Sequence, residues 1–424
     1  MPKKTNSPIR EAIESVLAPD RIRALAGELG VVKRQRKLDI VVFVGVVVLG
    51  FATGAQRSLA GMRRVYERCT GQMLAPSGFY GRFSRELVQL LKRLMEEVMA
   101  ELQQRSPKLK YALGRFEQVL AADGSLIKLH KNLAKRYPSV FPNKMGAGAK
   151  LHVVINVAGR SARSVQLVSG SRHDVTILKV DRWIAGKLLL MDLAYRKGLL
   201  LKRIADLGGY FLLRKKQSDD LIVTAEPWCG KPLSALVPEF IGKSIDVMAE
   251  LPWHLERGPH KHRRHVMPVR VVGHWYAQEG QHRFYITNAP AELIATEHVG
   301  PIYTARWEIE LFFRELKLTH RIEQLPTSKQ FVSESLIYGA LLSLLLSRKL
   351  HQRLLPNAVL APERWARIFA NFAIDILNVA FGAARHSKLD QLRLARTLRR
   401  EAPDPNVKRR NLLARASVGR FSSA

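Results

Sequence analysis

Tyr303, Arg306, Glu310 and Lys317 fall in one run, Tyr-Thr-Ala-Arg-Trp-Glu-Ile-Glu-Leu-Phe-Phe-Arg-Glu-Leu-Lys, residues 303 to 317. Read as a single helix at about 100° per residue, they lie at roughly 0°, 300°, 340° and 320°. They share a face about 60° wide, with one carboxylate among a phenol and two cations. Arg314, at about 20°, joins that face, while Glu308 and Glu315 fall at about 140° and about 120°, away from it. One glutamate of the three is singled out, in surroundings that suit both a metal ion and a phosphate backbone.

A lone carboxylate holds a metal poorly, so its partners must come from elsewhere in the chain. Asp123 follows the apolar run Val119-Leu120-Ala121-Ala122, and Asp192 follows Leu188-Leu189-Leu190-Met191. In open α/β sheets functional side chains collect where strands end, which lets the two aspartates converge. Three carboxylates around one point suit one or two Mg²⁺ ions, hard cations that prefer oxygen ligands and keep several waters. Two such ions about 3.5–4 Å apart activate an attacking oxygen and stabilise a leaving one in phosphodiester chemistry. Taken singly, an aspartate after a strand is ordinarily a cap or turn residue. Its combination with the helix face and a strongly basic chain is what points to nucleic-acid chemistry.

Several elements must position these groups. Residues 10 to 110 carry a helical pattern, with Leu87, Leu91, Leu94 and Val98 in one stripe flanked by Leu90 and Met95. From about residue 115 the pattern turns to strands. One runs over 119–123, stops at a Gly124-Ser125 turn signal and resumes over 126–129; further strands follow at 151–157 and 164–168. A helix begins near His173-Asp174 with Asp174 as its cap. A buried strand at 188–191 delivers Asp192, and a helix over 196–207 and a strand over 210–213 come next. Residues 214 to 289 hold only short β-like stretches, at 221–224, 244–247, 269–272 and 284–287. Residues 331–353 and 363–384 return to helix, and the basic stretch from 385 reads as a DNA-contacting arm without fixed structure.

Here the motifs match a family. The chain resembles the DDE transposases of bacterial insertion sequences, in the insertion-sequence-four group. Their Tyr-x2-Arg-x3-Glu-x6-Lys signature is met without a gap by Tyr303, Arg306, Glu310 and Lys317. Their first aspartate sits in an Asp-Gly-Ser/Thr turn, as in Asp123-Gly124-Ser125. Their second follows an apolar strand shortly before an aromatic, as in Asp192-Leu193-Ala194-Tyr195, with Ala194 where the group often has Gly. The resemblance implies an α/β protein with an RNase H-like catalytic core interrupted by a β-rich insertion. On that basis 1–112 is a helical, DNA-binding domain and 113–213 the first part of the core. The insertion occupies 214–298, the second, helical part of the core with Glu310 occupies 299–385, and 386–424 is a basic tail. The 118-residue interval from Asp192 to Glu310 leaves room for the insertion.

The resemblance further implies that Asp123, Asp192 and Glu310 hold Mg²⁺, with Mn²⁺ as a substitute. Tyr303, Arg306, Arg314 and Lys317 would face DNA. A water would attack at the element end, the freed 3′-hydroxyl would then attack target DNA, and a homodimer would hold the paired ends. Similar proteins hold a flipped base on an insertion-domain tryptophan, for which Trp253 and Trp275 are available, each also readable as ordinary packing. His173-Asp174 falls where the group often has a polar pair. The His260–His265 run reads as a phosphate-contacting loop, since its interleaved cations would repel a metal.

Composition agrees. Sixty-nine Lys and Arg against 36 Asp and Glu give a net charge of +33, a field that favours a polyanionic partner. With 47% hydrophobic residues the chain reads as globular. Two distant cysteines, Cys69 and Cys229, argue against a disulfide framework or metal knuckle and for a reducing, cytoplasmic, nucleoid-associated setting. The longest apolar run, 40–52, is shorter than the roughly 18 residues a membrane span requires, so it reads as a core helix; no signal peptide and no membrane partner are expected. Two rival readings share these features: a metal-dependent nuclease that cuts without joining, and a non-enzymatic DNA-binding descendant. The three intact carboxylates argue against the second.

Overall fold

A computed structural model describes residues 8–32, 38–54, 56–104, 111–159, 161–254, 263–323, 325, 327–356, 361–381 and 388–403. Its centre is one mixed sheet. The strands are β1 (Val119–Leu129), β2 (Ala147–Asn156), β3 (Ser161–Ser169), β4 (Leu188–Leu190), β5 (Tyr210–Arg214), β6 (Ile222–Val223), β7 (Ile245–His254), β8 (Arg264–Tyr276) and β9 (Gln281–Thr287). Their order is β3-β2-β1-β4-β5-β9-β8-β7-β6. β1, β4 and β5 run parallel, and every other neighbouring pair is antiparallel. The short three-residue β4, buried on both faces, is what a continuous Leu-Leu-Leu run provides.

Alternation along the strands sends side chains into two cores. Val119, Ala121, Leu188, Leu190 and Leu212 face a layer of helices drawn from both ends of the chain. The middle of that layer is the helix Gln330–Leu354, packed against Arg85–Gln104, Pro8–Glu14 and the wide-turned segment Val46–Phe51. The N-terminal helices and the C-terminal helices thus share one core. By length and composition Gln330–Leu354 could cross a membrane, but 89% of its most apolar stretch is buried inside the protein. The segment Ile40–Phe51 is buried throughout, as a core helix should be, and Asp39 caps it by accepting from the Val41 and Val42 amides at 2.8 and 3.3 Å.

Leu120, Ala122, Leu189, Met191, Phe211 and Leu213 face the other way. There they enclose the helix Gly198–Asp206 together with inward residues of β7 and β8, such as Ile245, Val247, Val269 and Val271. Strands β6–β9 therefore extend the central sheet and fold round that helix. Arg270, buried on β8, ties this region to the segment leading into the Glu310 helix. Its guanidinium donates to both Asp246 oxygens, at 2.8 and 2.5 Å, and to the Ile294 carbonyl at 2.6 Å. Removing one partner of a largely buried pair strands the other, so Arg270→Met is expected to cost about 3 kcal/mol in chemical denaturation. A loss below about 0.5 kcal/mol would mean that the tie does not hold the two segments together.

Three expectations are corrected. β1 is continuous, because Gly124 and Ser125 sit mid-strand opposite His152 and Leu151 and form no turn. Asp174 does not cap the short helix Asp174–Ile177; His173 occupies the cap position, and the Asp174 carboxylate goes to Lys150. The basic stretch after 385 contains a helix, Lys388–Glu401, seated through Ala395, Leu398 and Ala402. Small residues rather than aromatics make that contact. Arg399 Nε also donates to the Leu354 carbonyl at 3.2 Å. Lys408, Arg409 and Arg410 lie outside the described residues.

Candidate active site

The parallel strands set the geometry. Ala121 of β1 lies beside Leu190 of β4, and Leu190 beside Leu212 of β5. Two residues beyond each comes Asp123, Asp192 and Arg214, at one level of the sheet. By strand alternation they are aimed at the side on which Ala121, Leu190 and Leu212 meet the helices. Asp123 Oδ1 accepts from the Gly124 amide at 2.7 Å, and Asp192 Oδ1 from the Ala194 amide at 2.9 Å. Among described non-glycine residues only Arg321 has positive φ, so Ala194 is no obstacle where a relative would carry Gly.

The helix Trp307–Leu318 packs on β1 and brings Glu310 to this edge. The run 303–317 is not a single helix, however. Tyr303 lies in the last turn of the helix Val299–Thr304, and Ala305, Arg306, Glu308 and Ile309 each bond to the carbonyl three residues back. That is a 3-10 turn, in which residues three apart eclipse, so Tyr303 and Arg306 are stacked more closely than an α-helix would place them. Arg306 Cζ lies 5.7 Å from the Tyr303 ring centre. From there Arg306 Nη2 reaches Glu310 Oε1 at 2.5 Å and Nη1 stands 3.9 Å from Asp123 Oδ2. Glu308 and Glu315 are buried, Glu315 against Arg348. The wheel separates the glutamates as the structure does, despite the break. Arg314 and Lys317, further along, are paired with Glu363 at 2.5 Å and Glu323 at 2.8 Å.

Burial raises the Asp123 carboxyl to about 6, helped by the nearby Asp192 and Asp174 charges and opposed by the Gly124 amide and Arg306. Burial likewise raises Tyr303, against the pull of Arg306 and Arg214. The site is thus a partly desolvated cluster of carboxylates with Arg306 among them and Arg214 near Tyr303. Oxygen ligands under mutual repulsion fit a hard divalent ion. Among the described residues no three His, Cys, Asp or Glu side chains close round one point, and Arg306 stands between Asp123 and Glu310.

A divalent ion held by Asp123 would compete with its proton, so binding of that ion is expected to weaken as pH drops through about 6, and excess ion should restore it. The sign for stability is opposite. The folded acid binds its proton at about 6 against 3.8 for the free group, so its contribution favours folding at low pH and is lost as pH rises through about 6. A pH–rate profile at two Mg²⁺ concentrations, with the same acid limb at both, would contradict the competition.

On the far side of β1, sequence reasoning singled out only the His173-Asp174 pair and missed Lys150 and His152. The Asp174 carboxylate, held by Lys150 at 2.8 Å, occupies the space where a side chain on residue 124 would be. Beside it His152 and Tyr195, both buried, share a 2.8 Å hydrogen bond. Burial lowers the His152 ring to about 4, and it raises the Tyr195 phenol further because Asp174, Asp123 and Asp192 are near. Arg214 was also missed, although it follows an apolar strand as Asp192 does. An open cleft of about 660 Å³ runs from Leu193 and Arg214 past Lys215 to Trp275, Arg283 and Phe284. Trp275 lines it, whereas Trp253 is stacked on His265 at 4.4 Å and pressed against Gly198. Of the His260–His265 run, residues 260–262 lie outside the described residues.

Carboxylates delivered by adjacent parallel strands and a helix, on a strongly basic chain, are the arrangement of a polynucleotidyl transferase. The transposase DDE domain matches residues 114–346, more than half of the chain, and the chain belongs to that family: it is a DDE transposase. It is similar to the transposases of insertion sequence elements IS231B and IS231F of Bacillus thuringiensis. The first is 23% identical, covering 77% of this chain and 76% of that protein; the second is 24% identical, covering 80% and 79%. The transposase of IS1151 from Clostridium perfringens is 23% identical, over 66% and 67%. A more distant likeness links the chain to piggyBac transposase in a synaptic complex with hairpin DNA, at 9% identity and a TM-score of 0.43, covering 95% of this chain and 87% of that one.

Proposed function

We propose that this insertion-sequence transposase belongs to the insertion-sequence-four group, cuts the phosphodiester at element ends and joins the freed 3′-hydroxyl to target DNA. The observation that carries the proposal is the strand register, which sets Asp123 and Asp192 side by side at the edge Glu310 reaches. The order β3-β2-β1-β4-β5, with β1, β4 and β5 parallel, supports an RNase H-like core, and β6–β9 then constitute the insertion. Asp123, Asp192 and Glu310 would hold Mg²⁺ or Mn²⁺. A divalent ion there supplies charge neutralisation for in-line phosphoryl transfer.

The chain's own residues do the rest. Arg306 and Arg214 bring cations to the strand-end phosphate, Arg306 through a fork suited to phosphate oxygens. Tyr303, with its proton held by burial, donates a hydrogen bond. Lys317 and Arg314 join by exchanging Glu323 and Glu363 for DNA further along the helix. The cleft gives an unstacked base a route to Trp275, the more accessible of the two candidate tryptophans. Two copies, each holding one end in the cytoplasm of the host bacterium, complete the reaction.

The test is a strand-transfer assay with the full-length chain, Mg²⁺, and pre-cleaved duplexes carrying the inverted repeats that flank its reading frame. Joined product is expected; failure to join these ends by protein that cleaves uncut duplexes of the same sequence would make it a nuclease.

A further inference from the structure

Arg306 stands between the two carboxylates Asp123 and Glu310. Its guanidinium holds Glu310 Oε1 at 2.5 Å, stands 3.9 Å from Asp123 Oδ2, and its side chain is 19% exposed. Nε is buried and meets no hydrogen-bond acceptor, so the side chain is held by the two carboxylates and the Tyr303 ring. A divalent ion binds such oxygens at about 2.0–2.6 Å. A guanidinium at hydrogen-bond distance from the same oxygen uses the same lone pairs and repels the ion, so the two cations exclude one another.

Resting on the reading of Asp123 and Glu310 as metal ligands, we infer that Arg306 is an exchangeable counter-cation that positions both carboxylates before the metal arrives. Metal entry releases it to a strand phosphate. Its position supports this exchange. Arg306 lies in the 3-10 turn, where short stretches of that geometry commonly act as hinges. Tyr303, named for phosphate contact, lies beside it, and Arg214 is near Tyr303. Metal loading and phosphate capture are then one event, since the arm that binds phosphate is free only when the carboxylates have another cation.

This role differs in sign from the alternative. An arginine that only supports the ligands loosens metal binding when lost. An exchangeable counter-cation tightens it when lost. The experiment titrates Mn²⁺ alone into the full-length protein without DNA, reading free Mn²⁺ by electron paramagnetic resonance. Arg306→Gln is expected to bind Mn²⁺ about tenfold more tightly than wild type, the effect of removing one like charge within a few ångströms. Arg306→Lys, which keeps a charge but cannot fork between two carboxylates, should fall between, at about threefold. Equal or weaker binding in both variants overturns the exchange.

Melting curves supply a second readout. The Mn²⁺-induced rise in Tm should be larger in Arg306→Gln than in wild type, and an equal or smaller rise overturns the exchange. If Arg306→Gln does not fold, Arg306→Lys decides alone. Glu310→Gln separates the two levels: it must weaken Mn²⁺ binding. If it does not, the metal-ligand reading itself fails. If it does and the Arg306 variants bind no tighter, only the exchange fails.

Discussion

Asp192→Asn should lower cleavage at the element end by about 10³-fold or more while leaving DNA affinity unchanged or tighter. A metal at the reacting phosphate supplies several kcal/mol of charge stabilisation, and each 1.36 kcal/mol is about a factor of ten in rate. Asparagine can still accept from the Ala194 amide, so the turn Leu193–Tyr195 keeps its cap and the fold survives. What is lost is the negative charge that a cation requires. Glu310→Gln should behave alike, whereas Glu315→Gln would act through stability, because Glu315 is buried against Arg348. Single-turnover cleavage of an end-labelled duplex, beside a binding isotherm and a melting curve for each variant, separates the two patterns. Asp192→Asn retaining cleavage within about threefold of wild type would remove Asp192 from the reacting centre.

Much of this centre was legible because its determinants are local. Leu188-Leu189-Leu190-Met191 is a short apolar run of strand length, buried throughout, and Asp192 is the polar residue that ends it. The four short β stretches between 214 and 289 fall on β6–β9, since each carries the β-branched and aromatic residues that strands favour. The glutamates were separable because burial divides them sharply: Glu308 and Glu315 belong to the core and Glu310 does not. What escaped depends on residues distant in sequence. Nothing local signals that β9 pairs with β5 and makes one continuous sheet. Nothing local signals the 3-10 turn at Arg306, where tertiary packing shortens the hydrogen bonds by one residue. Gly124 misled for a related reason. Glycine is normally read as a turn, yet here it makes room within a strand for a carboxylate 50 residues further on.

That last contact yields a prediction that reaches the site itself. A Cβ on residue 124 would lie 1.8 Å from Asp174 Oδ1 and 3.2 Å from Lys150 Cδ. Neither neighbour gives way easily, because the Lys150–Asp174 ion pair is largely buried, with side chains 10% and 18% exposed. Gly124→Ala must therefore push the β1 backbone, and that backbone carries Asp123 and donates the Gly124 amide to its carboxylate. Overpacking of this kind costs about 1–3 kcal/mol. A shift of about 1 Å at the reacting centre costs a further 10²-fold in rate. Both effects are expected together, in denaturation and in single-turnover cleavage. Gly27→Ala is the matched control. It lies in the helix Pro19–Glu28 with nothing within 4 Å of its Cβ position, and should stabilise by about 0.5–1 kcal/mol. If Gly124→Ala cleaves within about twofold of wild type, the strand can move without moving Asp123. The Asp174 carboxylate would then be a tenant of the space above Gly124 and not a constraint on the catalytic edge.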